Sequence, residues 1–385
     1  MNKLQCQSHL FDLEEEVHYL NAAYMSPILK SVEAIGHEMV SLKTKPYQIA
    51  PPDFFSSVAK TKAAFTKIIN AVDAQRVAII PSVSYGIANV VRNIQLEKGE
   101  EIVMPHEQFP SNYYSWKRLA DDTGGTVKMI KPPAVKKKTA LWNEAIMEAI
   151  SARTKVVAIS HTHWADGTRF DLENIGRKCR ETGAYLIIDG TQSIGALPFD
   201  QQKIKADAII CAGYKWLLGP YSSGVAWYGP RFDKGTPIEE NWINRQESEN
   251  FQNLVLYQEL YKPKAARYSV GEQSNFILMA MQLKAFEQIL EWGISNIQEY
   301  CKILTKEPLQ ELETLGVIME DSKDRGHHLF GLYLDDSYDM NKVKAAFTEN
   351  NIFVSFRGNA IRVAPHLYNT SKDLDALVNC FKKLS

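Results

Sequence analysis

Between residues 75 and 230, short apolar runs alternate with segments of helical spacing, and this alternation leaves few folds open to the chain. "RVAIIPS" (76–82), "EIVMP" (101–105), "TVKMI" (126–130), "TKVVAIS" (154–160), "AYLIIDG" (184–190) and "ADAIICAG" (206–213) are each short enough for a strand and apolar along their length. Between them lie the helical patterns "SYGIANVVRNI" (84–94), "SNYYSWKRLADDTGG" (111–125, stopped by two glycines), "LWNEAIMEAI" (141–150) and "DLENIGRKCRETG" (171–183). Continuous apolar strands separated by amphipathic helices predict a mainly parallel sheet covered on both faces. Ligands of such sheets bind beyond the carboxyl ends of the strands. No internal repeat or low-complexity segment offers another architecture.

The 385 residues suit two domains. A polar stretch with Pro and Gly, "YGPRFDKGTPIEENWINRQ" (228–246), leads out of the sheet. It is followed by a helical run, "NFILMAMQLKAFEQILEWG" (275–293), and by short strands at "HHLFGLYL" (327–334) and "AIRVAP" (360–365). A large domain over 21–255 and a smaller α/β domain made of 256–385 and 1–20 are expected. Lys plus Arg (44) nearly balance Asp plus Glu (45), which favours a small-molecule substrate over nucleic acid or a membrane surface. The basic run Lys131 to Lys138 holds two prolines and no aromatic, so it reads as a solvated loop. Five scattered cysteines without a CxxC pair suggest reduced thiols and no metal site. The polar N-terminus lacks the apolar stretch of a signal peptide, so a cytoplasmic protein is expected.

Four strand ends hold residues of chemical interest. "PSVSYG" (81–86) opens a helix, where free amides suit a phosphate, although Ser82 or Ser84 equally suits a plain N-cap. "HEQFPSNYYSW" (106–116) offers Phe109, by itself an ordinary core aromatic. Asp189 ends an apolar strand and needs donors or a cation to stay charged there. Lys215, in "AGYKWLLGPYSSG", lies on the next strand-loop unit and so faces the same crevice. A lysine, an acid, an aromatic and a phosphate cradle are together what pyridoxal phosphate requires.

"IIDGTQSIGALPFD" followed by "AGYKWLLGPYSSG" resembles the class V aminotransferase superfamily of fold-type I pyridoxal-phosphate enzymes, and the likeness runs from "YLNAAYMSPIL" (19–29) to "IRVAPHLYNT" (361–370). The resemblance implies that Lys215 is the Schiff-base lysine, that Asp189 partners the ring nitrogen and that Gln192 meets the phenolic oxygen. It implies a phosphate held at Ser82, Val83 and Ser84 with help from the Tyr214 hydroxyl. "EQFPSN" resembles the kynureninase-type segment, making Phe109 the stacking ring with Asn112 close to the lysine. "ARYSVGEQSNF" (266–276) is similar to the segment that completes a neighbouring subunit's phosphate site, so a homodimer is implied, with Gln273, Ser274 and Trp242 reaching across. Arg362 corresponds to the arginine that grips the α-carboxylate, and Arg245 and Arg357 are further candidates for the substrate's far end.

The superfamily includes aminotransferases, isopenicillin N epimerase-like proteins, kynureninases and cysteine desulfurases. The segment "ENNIFVSFRGNAIRVAP" (349–365) lacks the mobile-loop cysteine of the desulfurases, which argues against that reaction. The resemblance leaves transamination, epimerisation and lyase chemistry open, with transamination the leading reading. Where relatives carry an asparagine, "SHTHWADGT" (160–168) has His163, Trp164 and Asp166, and a substrate contact and a structural histidine are both open there. A non-catalytic binding module predicts loss of the lysine, the acid or the arginine, and all three are present.

Overall fold

Each apolar run becomes a strand, and all but the edge strand at 126–130 are buried on both faces, because helices cover the sheet above and below. The computed structural model describes residues 4–335 and 337–384. Its strands are β1 (His18–Tyr19), β2 (Val77–Ile80), β3 (Glu101–Pro105), β4 (Thr126–Ile130), β5 (Thr154–Ser160), β6 (Tyr185–Asp189), β7 (Ala208–Ala212), β8 (Gly224–Tyr228), β9 (Phe330–Tyr333), β10 (Ile352–Phe353), β11 (Ser355–Arg357) and β12 (Ala360–Val363). The main sheet has the order β2-β8-β7-β6-β5-β3-β4. All pairs from β7 to β4 are parallel, while β8 runs antiparallel between β2 and β7. The sequence reading passed over β8. "GVAWY" follows β7 by a short loop and carries no helix between, which is the connection an antiparallel neighbour needs.

The sheet separates two cores. Leu186 and Ile188 of β6 enter one with helices α1 (Asp53–Ile68), α2 (Thr139–Ala149), α3 (Leu172–Thr182) and α4 (Phe276–Trp292). Ile187 enters the other, with the 83–92 and 114–123 helices. The second glycine-stopped helix behaves as its sequence predicts: residue 124 takes φ 76°, which ends the helix in the left-handed region. A third core gathers Leu20, Leu309, Phe330, Ile361, Val363 and Phe381 around β9, β11 and β12. β1 pairs with β10, so the N-terminal segment is tied to the C-terminal part. The 276–292 helix packs on the 30–43 and 53–68 helices and gives Met279, Phe286 and Ile289 to the first core, while the buried residues of the third core come from Leu20 and from Leu309 onward. Among the described residues no helix is long and apolar enough to cross a membrane.

The basic run ends differently from its sequence reading. Lys138 turns inward and pairs with buried Asp166 at 2.5 Å, while its Nζ also reaches the Tyr333 hydroxyl at 3.0 Å. An inward ammonium is tolerable because the carboxylate, the hydroxyl and the faces of Trp142 and Tyr333 replace its water.

Candidate active site

The carboxyl ends of β2, β3, β5, β6 and β7 meet around a cavity of ≈ 310 Å³. Register sets this convergence. Ser160, the last residue of β5, lies beside Asp189, the last of β6, and Ala212 of β7 lies beside Gly224 at the start of β8. The wall therefore takes Ser82, Val83 and Ser84 from one turn, Phe109 from the next, Trp164 from beyond β5, and Asp189, Gln192, Tyr214 and Lys215 from the centre.

Lys215 is 7% exposed and makes no ion pair with a described residue. Its Nζ sits 5.5 Å from the centres of both the Phe109 and the Tyr214 ring. Burial, then the positive Arg362, press the amine down to about 8, against the pull of Asp189. That shift is worth about 3 kcal/mol against the charged form. A lysine so placed presents a neutral, nucleophilic amine near pH 8. Burial likewise pushes the Asp189 carboxyl up, and the Thr191 hydrogen bonds and the Lys215 charge offset only part of this. The Thr191 amide donates to Asp189 Oδ1 at 3.0 Å, which fixes the carboxyl's orientation.

The rest of the cavity wall is rich in unspent hydrogen-bonding groups. Ser82 caps the 83–92 helix, accepting from the Tyr85 amide at 3.2 Å, and its hydroxyl lies 3.0 Å from that of Ser84. The capping and phosphate readings of "PSVSYG" are thus compatible, since one cap leaves other amides of the helix start free. Ser160 Oγ, Thr162 Oγ1, Ser223 Oγ and Gln108 Nε2 are buried in residues lining the cavity and have no partner among the described residues. Orphaned donors of this kind cost about 1–3 kcal/mol each unless something fills the space. A small polar molecule with a phosphate, a ring and a carbonyl fits them. Ser160, Thr162, Thr191 and Ser223 were missed by the sequence reading, because single hydroxyls carry no spacing signal.

Phe109 meets Trp164 edge to face at 5.4 Å, and the Trp164 indole donates to the Glu107 carbonyl at 2.6 Å. Gln192 is largely committed: its Oε1 accepts from the Trp216 indole at 3.0 Å and its Nε2 donates to the Ala23 carbonyl at 3.1 Å, leaving one N–H. Arg362 does not itself line the cavity; it is buried behind the lining residue Trp164, donating to the Trp164 carbonyl at 2.8 Å and to Ser355 Oγ at 3.2 Å.

Other expected residues stand apart from the cavity wall. Asn112 is buried with its Oδ1 on the Trp116 indole at 3.0 Å, because the 110–112 turn directs it toward the helix that follows. His163 does not line the cavity. Its Nδ1 lies 3.1 Å from Asp166 and its Nε2 3.3 Å from the His106 carbonyl, so both ring nitrogens are engaged within the protein. Burial opposes the Asp166 charge, but His163 and Lys138 outweigh it and hold that carboxyl well below its usual range. Arg245 pairs with Glu240 and stacks on Tyr261, far from Lys215 in its contacts. Gln273 donates to Asn244 Oδ1 at 3.3 Å, and Trp242 packs against Phe54 and Phe251. Neither these two nor Ser274 lines the cavity of their own chain.

A buried lysine and acid at the carboxyl edge of a mostly parallel sheet, with a helix-start cradle beside them, define the architecture of fold-type I pyridoxal-phosphate enzymes. The chain belongs to the family described as Aminotransferase class-V, whose pattern matches residues 47–377. An uncharacterized aminotransferase of Schizosaccharomyces pombe is 23% identical over 98% of this chain and 94% of its own length. A probable cysteine desulfurase of Staphylococcus aureus is 27% identical over 78% of this chain and 72% of its own. Among solved structures, a lysine-to-alanine mutant of C-DES with glycine covalently linked to its PLP cofactor superposes with a TM-score of 0.85 at 16% identity, covering 97% of this chain and 98% of that one.

Proposed function

We propose that this protein is a pyridoxal-phosphate-dependent aminotransferase that acts on an amino acid through Lys215. What carries the proposal is the buried Lys215 amine, without an ion pair among the described residues, sharing one cavity with buried Asp189 and a set of orphaned hydroxyls. Ser82, Val83 and Ser84 would hold the phosphate, with Tyr214 beside them; Asp189 would meet the ring nitrogen, the free N–H of Gln192 the ring oxygen, and Phe109 would cover the ring. Bound there, pyridoxal 5'-phosphate supplies an electron sink that makes the proton on an amino acid's α-carbon acidic. Arg362 receives the α-carboxylate, its planar fork matching two oxygens. Lys215 would anchor the cofactor and, standing beside the substrate's α-carbon, would take and return its proton as general base and acid.

Two features favour transamination over its rivals. A desulfurase needs an accessible thiolate, yet none of the five cysteines lines the cavity, four are buried, and burial holds the nearest, Cys211, well above its ordinary range. Two-base epimerisation needs a second proton donor facing the substrate. Besides Lys215 the titratable groups of the cavity are Asp189, committed to the ring, and Tyr214 and Tyr221, whose rings pack on one another at 4.5 Å.

The test is stoichiometric. Holoenzyme mixed with a panel of amino acids is expected to release one equivalent of 2-oxo acid per site and to continue only when a second 2-oxo acid is added. Loss of optical activity without oxo acid, or release of ammonia, contradicts the proposal in favour of an epimerase or a lyase. Gln273, Ser274 and Trp242 act in the cavity of a second copy, so the holoenzyme is expected to sediment as a dimer. A monomer that holds the cofactor tightly contradicts that assignment.

A further inference from the structure

Two arginines share one face of the small hairpin. In the β11–β12 pairing Ser355 stands opposite Arg362 and Arg357 opposite Ala360. Directly paired residues, and residues two apart on a strand, point the same way, so Arg357 and Arg362 are diagonal neighbours on a single face, about 7 Å apart. Like charges in that relation oppose folding unless an anion lies between or beside them.

Neither arginine has one. No carboxylate of a described residue lies within ion-pair distance of either, and the Nε of each is buried without a partner. Arg362, 2% exposed, spends its hydrogen bonds on neutral oxygens of Trp164 and Ser355. Arg357 donates to the Phe356 carbonyl at 2.9 Å and holds its guanidinium 5.7 Å from the ring centre of Trp164, which lines the cavity. Their charges are felt across the site: after burial, Arg357 is what lowers Arg362, to about 9, and both depress Lys215. The cofactor's phosphate does not answer this excess, since the cradle at Ser82 and Ser84 is built of neutral donors and a helix start. A single α-carboxylate answers one guanidinium and leaves the other, half-buried on the same face, without an anion.

We propose that the substrate is an amino acid with an anionic side chain, its α-carboxylate on Arg362 and its second anion on Arg357, with Trp164 as the wall that holds the two arginines apart. This rests on the amino-acid reading of the Lys215 site. The test is titration of the holoenzyme's visible spectrum with aspartate, glutamate and 2-aminoadipate of both hands, each against its side-chain amide. At least one acid is expected to bind about tenfold to a hundredfold more tightly than its amide, the range of a charge-assisted hydrogen-bonded pair. Arg357→Gln is expected to erase that preference, while Arg357→Lys, which keeps the charge and loses the fork, retains part of it. Retention of the cofactor band reports that each variant is folded at the site. Equal affinity for acids and amides, or an Arg357→Gln variant that weakens both alike, overturns the inference and leaves the amino-acid reading intact. No spectral response to any amino acid overturns both.

Discussion

Lys215→Ala is expected to lower turnover by about 10³-fold or more, the scale of losing a positioned general base that is also the covalent anchor. The substitution removes an amine that the fold holds at a cost: Lys215 is 7% exposed, unpaired, and pressed down to about 8 by burial and by Arg362. Alanine relieves that cost, so folding is not expected to suffer. The residues proposed to hold the cofactor, Ser82–Ser84, Asp189 and Phe109, are untouched, so non-covalent binding is expected to persist. Single-turnover measurement of oxo-acid release on the variant, with its melting temperature as a control for folding, checks the prediction. Turnover within about tenfold of the parent protein removes Lys215 from the chemistry.

The second large effect concerns stability in acid. His161, His328 and His366 are buried, and burial depresses them to about 3, about 4 and about 3. His328 still finds partners in the Gln192 carbonyl at 2.9 Å and Gln298, whereas neither ring nitrogen of His366 has a partner among the described residues. The sign follows from linkage. Below the unfolded histidine value of ~6.5 the unfolded chain binds protons that the folded chain refuses, so stability falls as pH drops from there toward about 4. At pH ~5 each such histidine costs about 2 kcal/mol relative to neutral pH, roughly 6 kcal/mol for the three. Asp189 and Asp207, raised by burial, work the other way and reduce the sum. Urea unfolding at stepped pH is expected to show a midpoint that declines steeply between pH ~6.5 and pH ~5. His366→Phe, which loses no hydrogen bond and keeps contacts with the aromatic rings around it, is expected to remove one histidine's share of that decline, to which half-buried His327, lowered to about 4 by burial, also contributes. A variant curve parallel to the parent's contradicts the assignment of a neutral buried His366.

The sequence made the parallel core legible because each strand there is apolar on both faces, a pattern that only two-sided cover explains. It made Lys215 and Asp189 legible because each is a charge at the end of such a run. β8 escaped because an antiparallel strand after a short loop leaves no crossover helix to announce it. Asn112 and His163 were harder, since the same residue types serve a cavity or a buried network, and only the local chain direction decides between them. The 110–112 turn sends Asn112 to Trp116, and the 163–168 turn lets His163 share Asp166 with Lys138 and Tyr333. Lys138 itself was hidden by its neighbours, a run of lysines whose earlier members are mostly exposed. The roles given to Gln273, Ser274 and Trp242 depend on a second copy and have no signature within one chain.

Covalent attachment of pyridoxal phosphate at Lys215 leaves a chemical record. Borohydride reduction of the protein incubated with pyridoxal phosphate, followed by peptide mass analysis, tests it most directly. The account predicts a visible absorbance band lost on reduction, a pyridoxyl group on the peptide containing Lys215, and an attachment rate that climbs through pH about 8 as the Lys215 amine loses its proton. Label spread over exposed lysines, or an unmodified Lys215 peptide, contradicts it.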